Sequence, residues 1–231
     1  MPIAFRDRSA PAPALSPLPG LVVRQERNAA TMAALQKRSV ADIQARFDGG
    51  NRAYVAELDG VAAAWGWVAT DGARIGEVGA SFHVAPRERY LWNFVTLAEF
   101  RGRGIYPRLI NVMVEAELAD GDRFWIAYAP ENHASGAGIA KAGFELVADL
   151  SFDRKGLPVV RDIRTGGGSQ AAELLGLREI REAVAKCWKC ARGAMPEMAS
   201  CASEFGGQCC CDYQKPDVEC EDGAWFPTGD G

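Results

Sequence analysis

An aromatic and β-branched run, YLWNFVTL at residues 90–97, leads through a short turn into RGRG at 101–104 and then at once into the apolar, helix-forming stretch that starts IYPRLINVM. Apolar residues on both faces of the first run suit a central strand covered on both sides. In the second, Ile105, Leu109, Val112, Met113 and Ala116 recur at three- and four-residue spacing, which predicts an amphipathic helix that packs on a sheet. Pro107 is compatible with it, because first-turn amides lack intrahelical partners anyway. A central strand feeding a helix through a glycine turn commits the chain to an α/β architecture.

The turn itself points to an anion. Free amides at a helix start, together with the helix dipole, attract negative charge, and glycine lets a phosphate reach the main chain. Arg101 and Arg103 add positive charge. The spacing is neither a Walker loop, since no G-x-x-x-x-G-K-[ST] occurs, nor the dinucleotide G-x-G-x-x-G, because after Gly102 and Gly104 the third glycine is missing, with Pro107 at its position and Arg108 next. Two other readings stay open on these residues alone: a strand-to-helix turn with no ligand, and a nucleic-acid contact through Arg101, Arg103 and Arg108. The formal net charge of −4 gives no general attraction to nucleic acid or to an anionic membrane. No run of eighteen apolar residues is present, so no transmembrane helix is predicted. The first twenty residues have no continuous apolar run of the secretory type, so a cytoplasmic protein is expected.

Around this unit the pattern is orderly. Residues 1–19, rich in proline and alanine, read as a flexible arm. LVVR reads as a strand, and NAATMAALQ and SVADIQARF as two helices capped by Asn28 and Ser39. Residues 53–70 read as two strands joined at Asp59-Gly60, a pair suited to a type I′ turn. A strand is expected over 75–84, another at RFWIAYA, a helix from Asn132 to Ala142, and strands at FELVADLSF and 159–163. GGGS at 166–169 reads as a linker, and Leu174, Leu177, Ile180 and Val184 as one face of a helix running into CWKC.

Two stretches in this context resemble the GNAT N-acetyltransferase superfamily. TLAEFRGRGIY at 96–106 is similar to its strand–Arg-x-x-Gly–helix motif, with Arg101 and Gly104 matching and Tyr106 where a small residue is usual. NHASGAGIAKAGF is similar to its second motif, with Asn132, Lys141, Gly143 and Phe144 in place. The resemblance covers residues 20–165 and implies a mixed, mostly antiparallel sheet flanked by helices. It also implies acetyl-CoA as co-substrate and an amine, on a small molecule or a protein, as acceptor. The main chain at Thr96 and Leu97 would pair with the pantetheine arm. The amides of Arg101, Gly102, Arg103, Gly104, Ile105 and Tyr106 would hold the diphosphate, and Asn132 would touch the cofactor beyond the splayed strands.

An amine attacks a thioester only when neutral, and a lysine-like amine of pKa about 10.4 is rarely neutral at pH 7. A base, an oxyanion donor and an acid for the departing sulfur are therefore sought. Family members often carry a tyrosine acid on the second motif's helix, where this chain has Ile139 and Ala140. Tyr128 and Ser135 are the substitute donors, each with a packing or capping role as the plainer alternative. Glu99, Glu77 and His83 are the candidate bases, with Asn93 and His133 as polar neighbours.

All seven cysteines lie between Cys187 and Cys220, inside an acidic segment, 170–231, that reads as a separate module. C-x-x-C at Cys187 and Cys190 lets two thiolates reach one tetrahedral metal, and two of Cys201, Cys209, Cys210, Cys211 and Cys220, with Cys201 and Cys209 the pair chosen, can complete a zinc site. An iron–sulfur cluster, redox pairing and an unstructured thiol-rich tail are the alternatives. So is a second overall reading, a non-catalytic CoA-binding scaffold with a metal- or redox-responsive interaction module.

Overall fold

The computed structural model describes residues 1–153, 157–164 and 166–181. Its strands, in chain order, are β1 Pro2–Asp7, β2 Leu21–Glu26, β3 Asn51–Leu58, β4 Val61–Ala69, β5 Gly72–Ile75, β6 Ala80–His83, β7 Glu88–Thr96, β8 Arg123–Ala127, β9 Glu145–Phe152, β10 Pro158–Asp162 and β11 Arg178–Ile180. The helices are α1 Ala29–Gln36, α2 Val40–Asp48, α3 Ile105–Glu117, α4 His133–Lys141 and α5 Gly167–Leu175. Among the described residues nine strands form one sheet in the order β11-β10-β9-β1-β8-β7-β4-β3-β2, and β5 and β6 pair separately. In the large sheet only β7–β8 and β10–β11 run parallel, so it is mixed and mostly antiparallel, as the resemblance implies.

Period-two alternation sends neighbouring side chains to opposite faces. Phe124 and Ile126 join Leu91 beneath α3 and α4, whereas Trp125 and Tyr90 join the core beneath α5 and the β5–β6 hairpin. Trp65 and Trp67 pack under α1 and α2. The buried face of α3 is Ile105, Leu109, Ile110, Met113 and Val114, each such side chain contributing about 1.5–3 kcal/mol; of the expected stripe, Val112 is only half-buried and Ala116 is exposed. The caps fall where expected: Asn28 accepts from the amides of Ala30 and Thr31, and Ser39 from that of Asp42. Asp59 and Gly60 both have positive φ, 53° and 79°, as a type I′ hairpin requires.

Four expectations need correction. Residues 2–7 are not part of a loose arm. They are inserted in the sheet, pairing with β8 from Ile3↔Ala127 to Asp7↔Arg123 and with β9 on the other side. The expected strand over 75–84 is broken by the 3-10 turn Gly76–Val78, which carries Glu77, and becomes the β5–β6 hairpin. Most of the 166–169 linker is the first turn of α5, where Asp162 accepts from the amides of Gly166 and Gly168. That helix stops at Leu175 because Gly176 turns left-handed (φ 62°), so Leu177 and Ile180 belong to the run into β11 and not to a longer helix. Val184 and the whole cysteine cluster, including Cys187, Cys190, Cys201 and Cys209, lie outside the described residues.

Candidate active site

The site is built where two parallel strands part. β7 and β8 are in register from Glu88↔Arg123 to Leu91↔Ile126, and no pair follows although β7 runs on to Thr96. On its other side β7 stays with β4, but with an irregularity: Trp67 faces Trp92 and Trp65 faces Val95, so Asn93 and Phe94 both fall opposite Gly66. This extra residue is a β-bulge, and Asn93 takes the left-handed conformation (φ 51°) that makes it possible. Gly66 is required there, because a Cβ would run into the Phe94 ring. A bulge of this kind bends β7 away from β8 and opens a slot in the middle of the sheet.

The glycine loop closes one side of the slot. Ala98–Phe100 forms a 3-10 turn; Gly102 and Gly104 both have positive φ (76° and 71°), and Gly104 is the N-cap of α3 with no side chain to cap it. Space is open within 4 Å of the position a Cβ would take on Gly102. The first amides of α3 therefore face outwards beside exposed Arg101 and Arg103, an arrangement that fits a diphosphate. Arg101 Nε donates to the Thr96 carbonyl (3.2 Å), and the Arg103 guanidinium lies 5.5 Å from the Phe100 ring centre. The Leu97 amide is directed to Ala63 O (2.9 Å), so the open edge of β7 is presented by the residues between Leu91 and Leu97.

Helix α4 forms the far wall. Asn132 caps it, its side chain accepting from the Ser135 amide at 2.9 Å. The glycines of HASGAGIAK then make room for two tyrosines: a Cβ on Gly138 would strike the Tyr106 ring, and one on Gly136 would come within 2.8 Å of the Tyr128 ring. The Tyr106 hydroxyl shares a hydrogen bond with Ser135 Oγ (3.1 Å), and its ring meets Phe94 edge-on, centres 5.2 Å apart. Burial pushes the Tyr106 phenol well above its ordinary range, more than its bond to Ser135 lowers it. Tyr128 is also raised, first by desolvation and then by the charge of Asp149. Both hydroxyls thus keep their protons at neutral pH.

The structure brings Tyr128, Ser135, Tyr106 and Asn132 to one end of the slot. It does not bring Glu99 or His83 there. Glu99 is exposed on the turn before the loop, and His83 is exposed on β6 beside Asp71 at 3.0 Å. His133 is exposed at the start of α4. Of Ile139 and Ala140, the residues found in α4 in place of the expected tyrosine, Ile139 is buried in the α3–α4 core and Ala140 is exposed. The sequence reading missed Phe94, Gly66, Gly136 and Gly138. A signal for the last two was the small-residue run in α4, unusual in a helix unless something large packs against it. Among the described residues no group of three or more His, Cys, Asp or Glu side chains is placed to hold a metal ion.

The model of the Acetyltransferase (GNAT) family matches residues 22–144, more than half of the chain and all of this site. The chain belongs to the GNAT acetyltransferase family. No curated protein matches it. Among solved structures, a GNAT-family acetyltransferase from Novosphingobium aromaticivorans is 22% identical, with 63% of this chain and 59% of that chain covered at a TM-score of 0.43. An acetyltransferase from Salmonella typhimurium, solved with acetyl-CoA, is 14% identical over 57% of this chain and 83% of that one, TM-score 0.43. The aminoglycoside N-acetyltransferase AAC(6')-Iy, in complex with CoA, is 21% identical over 60% and 97%, TM-score 0.46. The GNAT domain of this chain thus spans only about three-fifths of the Novosphingobium protein.

Proposed function

We propose that the protein transfers an acetyl group from acetyl-CoA to an amine, with the cofactor lying across the slot between β7 and β8. The observation that carries this reading is the combination, at one end of the slot, of the bulge at Asn93, the left-handed glycines 102 and 104 and the uncapped start of α3. A bulge leaves main-chain groups unpaired for the pantetheine amides, and the helix start offers amides and a positive dipole to the diphosphate. Arg101 and Arg103 add charge there, and Asn132 stands at the α4 end of the slot.

When bound, the thioester supplies the activated acyl group. Tyr128 is the proton donor we assign to the departing sulfur: its ring rests on Gly136, and its hydroxyl carries no hydrogen bond among the described residues. A phenol raised by desolvation is a poor acid in water but a suitable one for a thiolate formed in a dry slot. Ser135 is held by Tyr106 and serves to fix that ring.

The cysteine segment supports a second element of this reading on its sequence alone. Cys187, Cys190, Cys201 and Cys209 together offer four thiolates to one structural zinc. Metal analysis of anaerobically purified protein then finds about one zinc per chain, lost in Cys187→Ser.

A screen of small amines, amino acids and peptides with acetyl-CoA, read by free thiol release and by mass of the acetylated product, tests the activity. Turnover that disappears in Gly104→Glu is expected. Acetyl-CoA binding without turnover on any acceptor favours the scaffold reading.

A further inference from the structure

The family match begins at residue 22, and the chain before it is more than a strand. From Arg8 to Gly20 there is neither helix nor strand, and Pro11, Pro13, Pro17 and Pro19 restrict the backbone to extended shapes. This strap is tied at both ends: Arg8 pairs with Asp122 at 2.6 Å, and the Gly20 carbonyl accepts from the Asp59 amide at 2.9 Å. Between them it crosses the outside of α3 and α4, where Pro13 lies beside Gly143 and Leu18 packs into the α3–α4 core.

At mid-span the strap meets the glycine loop through one side chain. Arg108 donates from Nε and Nη2 to the Ser16 carbonyl, at 3.0 and 2.5 Å, and from Nη1 to the Gly104 carbonyl, at 2.7 Å. The guanidinium therefore spans two main-chain oxygens, one on the strap and one at the start of α3. A peptide unit is planar, so fixing the Gly104 carbonyl also fixes the direction of the Ile105 amide on the same plane. That amide is one of the groups assigned above to the diphosphate. Gly104 is doubly constrained here, because a Cβ would lie 2.6 Å from Arg108 Nη1 as well as on a left-handed backbone.

We infer that Arg108 is a positioning residue for cofactor binding: it aims the Ile105 amide at the diphosphate, using the strap carbonyl of Ser16 as a fixed anchor. The inference rests on the acetyl-CoA reading given above. It makes affinity depend on the fork geometry of arginine and not on its charge, since lysine cannot hold both oxygens in one plane. Less reorganisation of the loop on binding is the source of the gain.

The test is calorimetric titration of acetyl-CoA into full-length wild type, Arg108→Lys, Arg108→Met and Pro17→Gly, at two salt concentrations. Both Arg108 variants are expected to bind roughly tenfold more weakly than wild type, with Arg108→Lys keeping the wild-type salt dependence and thermal midpoint. Pro17→Gly, which loosens the anchor and leaves the arginine in place, is expected to weaken binding several-fold. Wild-type affinity in Arg108→Lys, with a loss and a shallower salt dependence only in Arg108→Met, would show a direct phosphate contact and overturn the inference. Should both Arg108 variants fail to fold, wild-type affinity in Pro17→Gly overturns it instead. If wild type itself binds no acetyl-CoA, the reading of the loop falls and this inference falls with it.

Discussion

The two ends of the β7–β8 pair are made of different chemistry. At the end where the strands are paired, charge does the work: Glu88 is joined to Arg123 and accepts from Trp125 Nε1 at 3.1 Å. Glu117, buried at the foot of α3, receives Arg89 (2.9 Å), Arg52 (2.7 Å) and the Tyr54 hydroxyl (2.7 Å). Asp122 holds Arg8 and Arg87. Among the described residues the end where the strands part has no such network of ion pairs. There the groups are phenols, a serine, glycines and main-chain amides, with Arg101, Arg103 and Arg108 bonded to main-chain carbonyls or exposed beside them. The contrast teaches that a perturbed or buried charge is a poor pointer to the site in this molecule. The charges fasten the sheet so that its other end can stay open.

This comparison is most easily broken at its two extremes. Glu117→Ala leaves the buried Arg89 guanidinium and the Tyr54 hydroxyl without their carboxylate, while the half-exposed Arg52 keeps Asp120, and loss of one partner of such a buried pair costs about 3–5 kcal/mol; a large fall in thermal midpoint is expected, with acetyl-CoA affinity near wild type well below that midpoint. Weakened binding without destabilisation would put the charged end in the site. Gly104→Glu is the converse: the fold is kept, at a backbone cost of about 1–3 kcal/mol, while a carboxylate placed where the diphosphate belongs abolishes detectable binding by calorimetry.

Tyr128→Phe removes one oxygen from the open end and should lower kcat about a hundredfold, at the low end for general acids, with little change in stability. Because the Tyr128 proton is held above its ordinary value, the wild-type rate should rise with pH as the acceptor amine deprotonates, with no fall from loss of this acid below about pH 10. A decline between neutral pH and there would assign the acid elsewhere. The smallest effect is expected at Asp122. Hydrogen bonds from Arg87 and Arg8 hold its carboxyl well below the usual range. Its stabilisation is thus complete above the unfolded value of about 3.9 and lost as pH falls towards the folded one. Asp122→Asn should lower the neutral region of the midpoint-against-pH curve slightly and leave the strongly acidic end unchanged, so that the acid limb is flatter.

How far these features could be read from the sequence follows from how local they are. The Asp59-Gly60 hairpin, the caps Asn28, Ser39 and Asn132 and the RGRG turn are each fixed by a few adjacent residues, and all appear where the residues placed them. β1 was not legible, because what makes PIAFRD a strand is β8 and β9, more than a hundred residues away. Its prolines and short length suggested an arm. The bulge at Asn93 was equally hidden: φ of 51° on a non-glycine residue is set by the Phe94 ring lying on Gly66 across the strand pair. Tyr106 was visible as a departure from the family pattern, but its meaning required α4, whose glycines 136 and 138 turn out to be seats for Tyr128 and Tyr106.

Hydrogen–deuterium exchange of the full-length protein with and without acetyl-CoA tests the central claim most directly. Protection on binding is predicted at residues 93–106 and 127–138, around the open end, with no change at 87–89 and 117–123. Protection centred on the charged end, or none anywhere at saturating acetyl-CoA, would contradict it.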